Sequence, residues 1–169
     1  MKKILVSVIA ITTLILSANA ADNVANKTVN VQGKARIITP ITLANSQALD
    51  FGIIARGTTD ATVVVAANAA PSRSVLTGDA VILTSAPQTA AKFTVGGEDG
   101  KTYAITIPTT QTIISGANHL DITSFTCSNG TSGTIGTNNE FYVGGTLSVP
   151  VAAVAASYTG TFNVTVNYY

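Results

Sequence analysis

Residues 28–37, Thr-Val-Asn-Val-Gln-Gly-Lys-Ala-Arg-Ile, alternate without a fault. Val29, Val31, Gly33, Ala35 and Ile37 are apolar or bare, and Thr28, Asn30, Gln32, Lys34 and Arg36 are polar. Side chains of a pleated strand leave opposite faces in turn, so this pattern specifies a strand with one dry face and one wet face. The end of the chain repeats it: Phe162, Val164, Val166 and Tyr168 alternate with Thr161, Asn163, Thr165 and Asn167. Amphipathic strands are therefore expected at both ends of the processed chain. The first can bury its apolar face in two ways. It closes its own sandwich, or it enters a neighbouring molecule and builds a polymer.

What precedes that segment reads as a secretory leader. Met1-Lys2-Lys3 is a short positive start, residues 4–17 are apolar apart from Ser and Thr, and Ala18-Asn19-Ala20 is a small-x-small cleavage site. A membrane anchor is the rival, but the apolar run falls short of the roughly 20 residues that a spanning helix needs. No Cys follows the site to carry a lipid, and no later stretch suggests a membrane span. The expected organisation is a leader over 1–20, an extension over 21–37 and one domain over 38–169. Processing leaves about 149 residues, enough for a single sizeable core.

Without Lys2 and Lys3, seven basic residues face eight acidic ones, with no basic stripe for nucleic acid and no acidic tail. Charged residues make up 10% of the chain, against roughly 25% in ordinary globular proteins. Thr, Ser, Asn and Gln fill the polar positions, so contact with another copy would desolvate little charge. The lone Cys127 cannot form an intrachain disulfide. It reads as a small core residue at a strand end, with an intermolecular bridge or a reactive thiol as the alternatives.

The period-two signal recurs along the chain. Ile41 and Leu43 continue the first strand region, and Leu49 to Ile54 form a short second one. Residues 62–66 are a continuous Val run, expected to be buried on both faces, and residues 68–74 read as a loop. Further strands are expected at 80–84, 92–95, 103–108, 111–115, 120–127, 141–151 and 158–169. Gly- and Asn-rich turns separate them. Residues 152–157 are Ala-rich and follow Pro150, which suggests a helical turn or loop. Many short strands of this kind indicate an all-β chain, a single immunoglobulin-like antiparallel β-sandwich.

Chemistry-bearing motifs are sparse. Gly96-Gly97-Glu98-Asp99-Gly100-Lys101-Thr102 evokes a phosphate loop, but Val95 stands where the first glycine is required and a strand follows instead of a helix. A β-hairpin turn is the better reading. His119 is the single histidine, beside Asp121 at a loop-to-strand junction, and reads as a surface residue. Histidine-based metal clusters and catalytic triads are poorly supplied, and Glu98-Asp99 lacks the spaced carboxylates of a calcium loop. No catalytic, cofactor or metal residue is assigned, and no enzyme is expected. Absence of Trp weakens a sugar-binding module, though Tyr103, Tyr142, Tyr158, Tyr168 and Tyr169 are available for stacking.

Three landmarks occur together: Leu49-Asp50-Phe51-Gly52, Val143-Gly144-Gly145-Thr146-Leu147, and the ending from Tyr158-Thr159-Gly160 to Tyr168-Tyr169. With them the whole processed chain resembles a bacterial family of exported β-sandwich proteins of unknown function. That family is similar to the spore-coat-protein-U-like subunits of chaperone–usher pili, which carry an early cysteine pair that this chain lacks. The resemblance implies a pilin-like structural subunit of an extracellular fibre or surface layer, passing through the periplasm to the cell surface. Such a subunit is assembled by donor-strand exchange. Its partners are copies of itself or related subunits, a periplasmic chaperone and an outer-membrane usher.

Carried over to this chain, Val29, Val31, Gly33, Ala35 and Ile37 would form the donor strand. Phe162, Val164, Val166, Tyr168 and Tyr169 would form the acceptor and chaperone edge, with the Tyr169 carboxylate offered to a basic chaperone site. The alternative is a secreted binding module, a complete sandwich that presents its loops to a glycan or host surface.

Overall fold

The computed structural model describes residues 27–169. The expected leader and the start of the extension lie outside them. Residues 27–36 have no regular secondary structure and are exposed throughout. Residues from Ile37 to Tyr169 form one compact unit. That unit is all β, with twelve short strands, antiparallel pairing and no helix among the described residues.

The backbone of the fold is β11 (Glu140–Val149), which has partners on both edges. On one edge, residues 140–143 pair with β6 (Ala91–Gly96), and residues 145–149 then pair with β3 (Ala61–Val65). The other edge pairs with β9 (Asn118–Cys127), which forms a hairpin with β8 (Gln111–Ser115). Outside β6 lies β1 (Thr42–Gln47), and outside β3 lies β4 (Arg73–Thr77). This large sheet curls. A three-stranded sheet joins β10 (Ser132–Thr134), β7 (Thr102–Thr106) and β12 (Thr165–Tyr168). A short ribbon pairs β2 (Ile54–Ala55) with β5 (Val81–Ile82).

Period-two sequence explains how β11 serves two cores. Phe141 and Val143 enter one cluster with Phe93, Val95, Tyr103, Ile105 and Val166. Leu147 and Val149, further along the same face, enter another with Phe51, Val63, Val65, Leu120 and Ile122. Phe93 and Phe141 stack with ring centres 5.1 Å apart in the first of these.

Between the two halves, where β11 changes partner from β6 to β3, stand Gly144 and Gly145. A Cβ on Gly144 would lie 2.2 Å from the Val65 carbonyl oxygen, so the neighbouring main chain leaves room only for glycine. One sequence landmark is thus the crossing point of the large sheet.

Another landmark, Leu49-Asp50-Phe51-Gly52, is a turn knotted to the core. Asp50 exchanges main-chain hydrogen bonds with Thr89 at 2.8 and 3.0 Å, and its carboxylate accepts from the Gly52 amide at 2.7 Å. Gly52 is left-handed, with φ of +66°. Phe51 is buried, and its carbonyl accepts from the Arg73 guanidinium, which also donates to the Leu83 carbonyl at 2.8 Å.

Several expectations need correction. Residues 28–37 form no strand; the first is Thr42–Gln47. The end of the chain is paired only over Thr165–Tyr168, although its burial alternates from Phe162 onward as the pattern requires. In the Val run, Val63 and Val65 are fully buried but Val64 is only half-buried, so one face remains partly wet. Arg73 and Ser74, read as loop, begin β4. The Gly97–Gly100 turn carries the chain from the large sheet to the three-stranded one, because β6 and β7 do not pair with each other. It is not a hairpin.

Candidate functional site

A cleft of about 900 Å³ lies on the large sheet, between the stretch 48–56 and the connection 153–162. Its floor is the large sheet, where Ile113, Leu120, Ile122, Leu147 and Val149 present their apolar side chains. One wall is the stretch around Phe51, Ile53 and Ile54, leading into β2. The facing wall runs from Ala153 through Tyr158 to Phe162. A smaller hollow of about 260 Å³ continues it toward Asn45, Ala91 and Phe93 of the β1–β6 pair. The two share Ala48, Leu49, Gly160 and Phe162, which form the neck between them.

Phe162 holds that neck in place. Its ring meets Phe125 of β9 at 4.7 Å between centres, tilted by 43°, which anchors the segment before β12 onto the large sheet. Val164 and Tyr168 are half-buried against the same cluster, Val166 is buried in it, and Tyr169 is 89% exposed. The structure therefore brings Phe162, Val164, Val166 and Tyr168 together on one core cluster, with Phe162 also lining the hollow. Only the last of the five edge residues stands apart from the core.

Main-chain direction along this line follows from pairing. β12 sets Thr165 opposite Thr106 and Asn167 opposite Ala104, and the Tyr169 amide donates to the Thr102 carbonyl at 3.2 Å. Antiparallel strands alternate between residues that bond one neighbour and residues that bond the other. Val166 and Tyr168 therefore aim their amides and carbonyls away from β7. Among the described residues no strand pairs that edge. Similarly, β1 pairs β6 alone.

The opening of the two edges is fixed at one end by Tyr168. Its hydroxyl donates to the Thr39 carbonyl at 2.7 Å and accepts from the Glu98 amide at 2.7 Å. The Glu98 carboxylate in turn accepts from the Thr39 amide and hydroxyl at 3.3 and 3.2 Å.

The residues proposed for the donor strand are exposed and form no regular structure. Val29, Val31 and Ile37 are 77%, 84% and 96% exposed, and Ala35 is exposed as well. A Cβ on Gly33 would meet nothing within 4 Å, so no local crowding demands a glycine there.

Other polar features are structural. Asp79 accepts four hydrogen bonds, from the amides and hydroxyls of Thr58 and Thr59, at 2.7–2.9 Å. Those donors, led by the Thr58 hydroxyl, hold its carboxyl far below the usual carboxylate range. Cys127 is half-buried at the end of β9, and burial pushes its thiol up, which disfavours the reactive thiolate. His119 is exposed on β9.

Among the described residues no group of three or more His, Cys, Asp or Glu is placed to hold a metal, and no helix is long and apolar enough to cross a membrane. What pattern reading missed is the cleft itself, since its walls come from segments about a hundred residues apart in sequence.

Neither a curated protein nor a solved structure matches the chain significantly. The model of one family, described as Domain of unknown function (DUF4402), matches residues 41–168, and the chain belongs to that family.

Proposed function

We propose that this protein is an exported structural subunit of an extracellular fibre or surface layer, assembled by donor-strand exchange. In this reading residues 28–37 of one copy fill the cleft of the next. The domain is then a pilin-like, immunoglobulin-type sandwich short of one strand, similar to the spore-coat-protein-U-like subunits. A periplasmic chaperone occupies the seat before assembly at an outer-membrane usher.

One observation carries the reading. An alternating segment with no regular structure coexists with an apolar cleft that reaches Phe162, three residues before β12, and with a β12 edge that no described strand pairs. Each supplies what the other lacks, main-chain donors and acceptors on one side and a dry face on the other. Burying Val29, Val31 and Ile37 would contribute roughly 5–9 kcal/mol gross, at about 1.5–3 kcal/mol for each side chain. The family match begins beyond Ile37, so the segment precedes the family domain as an extension would. Gly33 also fits, because its bareness answers to no contact within 4 Å in its own chain.

The test uses the purified full chain. Concentrated protein is expected to form chains that resist mild detergent, and an excess of synthetic peptide 28–37 is expected to cap them. A protein that stays monomeric, with its amides at 28–37 protected from exchange within its own molecule, would refute the proposal.

A further inference from the structure

The connection from β11 to β12 passes along the cleft, and its attachments are uneven. At its start the Val151 amide donates to the Asp60 carboxylate at 2.8 Å, and the Arg56 guanidinium donates to the Val151 carbonyl at 2.6 Å. At its far end a single bridge joins Thr159 to Ile114 of β8, through bonds of 2.8 and 2.9 Å. Between these points the described hydrogen bonds stay within the connection: the Ala153 amide to the Pro150 carbonyl, and the Tyr158 hydroxyl to the Val154 carbonyl.

Only Ala153 and Tyr158 pack on the apolar floor, and Val154 lines the cleft while remaining 50% exposed. Residues 152–157 are four alanines, a valine and a serine, with no charge and no regular structure. Segments with few buried contacts and exposed hydrogen bonds open at low free energy. Gly160 lets the chain press on β8 at the bridge, where a Cβ would lie 2.9 Å from the Ile113 side chain.

We propose that residues 152–159 are a hinged cover over the strand seat, fixed at Val151 and latched at Thr159. This rests on the preceding reading and adds its control. In the empty subunit Ala153 and Tyr158 of the cover pack against the floor and occupy part of it. Arrival of residues 28–37 of a second copy breaks the Thr159–Ile114 bridge, swings the cover outward about Val151 and frees the part of the floor that Ala153 and Tyr158 occupy. The occupant is that segment because it brings the apolar alternation the floor requires, with little charge to desolvate.

A disulfide tests the latch. Hydrogen-bonded antiparallel pairs have Cα atoms about 5.5 Å apart, within disulfide range. The full chain carrying Ile114→Cys and Thr159→Cys, with Cys127→Ser to remove the native thiol, is compared oxidised and reduced. Oxidation is expected to slow assembly at least tenfold, and reduction to restore the rate of the Cys127→Ser parent. Equal rates in the two states would overturn the cover while leaving strand exchange intact.

If the parent itself never assembles, strand exchange fails first, and the cover is judged by amide exchange in the monomer. The Thr159 and Ile114 amides are expected to exchange at least tenfold faster than that of Ile122. Exchange as slow as that of Ile122 would overturn the cover on its own.

Discussion

The hydroxyl of Tyr168 donates to the main-chain carbonyl of Thr39 at 2.7 Å, joining residues 129 positions apart. That bond ties the last strand to the stretch leading into the first, and sets where the edges of β1 and β12 stop being held together. The same hydroxyl accepts from Glu98, so one phenolic group fixes three segments.

Tyr168→Phe is expected to lower stability by about 1–2 kcal/mol, since both partners lose their bond while the ring keeps its packing. Chemical denaturation measures the loss. Limited proteolysis should show faster cleavage near residues 37–41 in the variant.

At the crossing point of β11, Gly144→Ala is expected to cost about 3 kcal/mol or more, because a methyl 2.2 Å from the Val65 carbonyl oxygen must separate β11 from β3. At Gly145 the nearest atom to a Cβ is the end of the Ile122 side chain at 3.1 Å. Gly145→Ala is therefore expected to be the milder change. Thermal melting of the two variants orders them.

Asp79 makes stability depend on acid. Its folded pKa is depressed by the Thr58 and Thr59 donors, so its contribution is complete above the unfolded value near 3.9 and is lost as pH falls below it. Asp79→Asn is expected to unfold more easily than the parent at pH 7, with the difference shrinking toward pH 2. Urea midpoints at several pH values give the comparison.

Val31→Asp and Ile37→Asp are expected to leave the melting temperature within about 1–2 °C of the parent, since both side chains are exposed in the single chain. Assembly should fall at least tenfold in each, as a charge would have to enter an apolar cleft. Melting followed by sedimentation separates the two effects. A large drop in melting temperature would mean that the segment is packed at home.

Much of the domain was legible from residue order alone. Alternation predicted which side chains of the last segment turn inward, and Phe162, Val164, Val166 and Tyr168 do so. The Gly- and Asn-rich turns and the absence of helical spacing indicated an all-β chain. Residue order could not say that Arg73–Thr77 and Ser132–Thr134 are strands, because their side chains carry no strong dry-and-wet contrast. Their pairing is decided by the neighbours β3 and β7.

Periodicity by itself determined which face of each segment avoids water, because that property is local to the side chains. Whether a segment becomes a strand was decided only in three dimensions, because an extended chain needs a second edge to satisfy its amides and carbonyls. Residues 28–37 have the strongest alternation in the protein and no such edge within the described chain, whereas Thr165–Tyr168 has β7. The cleft on the large sheet belongs to the same level of organisation. It exists only where Phe51, Ile113, Leu147 and Phe162, remote in sequence, are brought around one space.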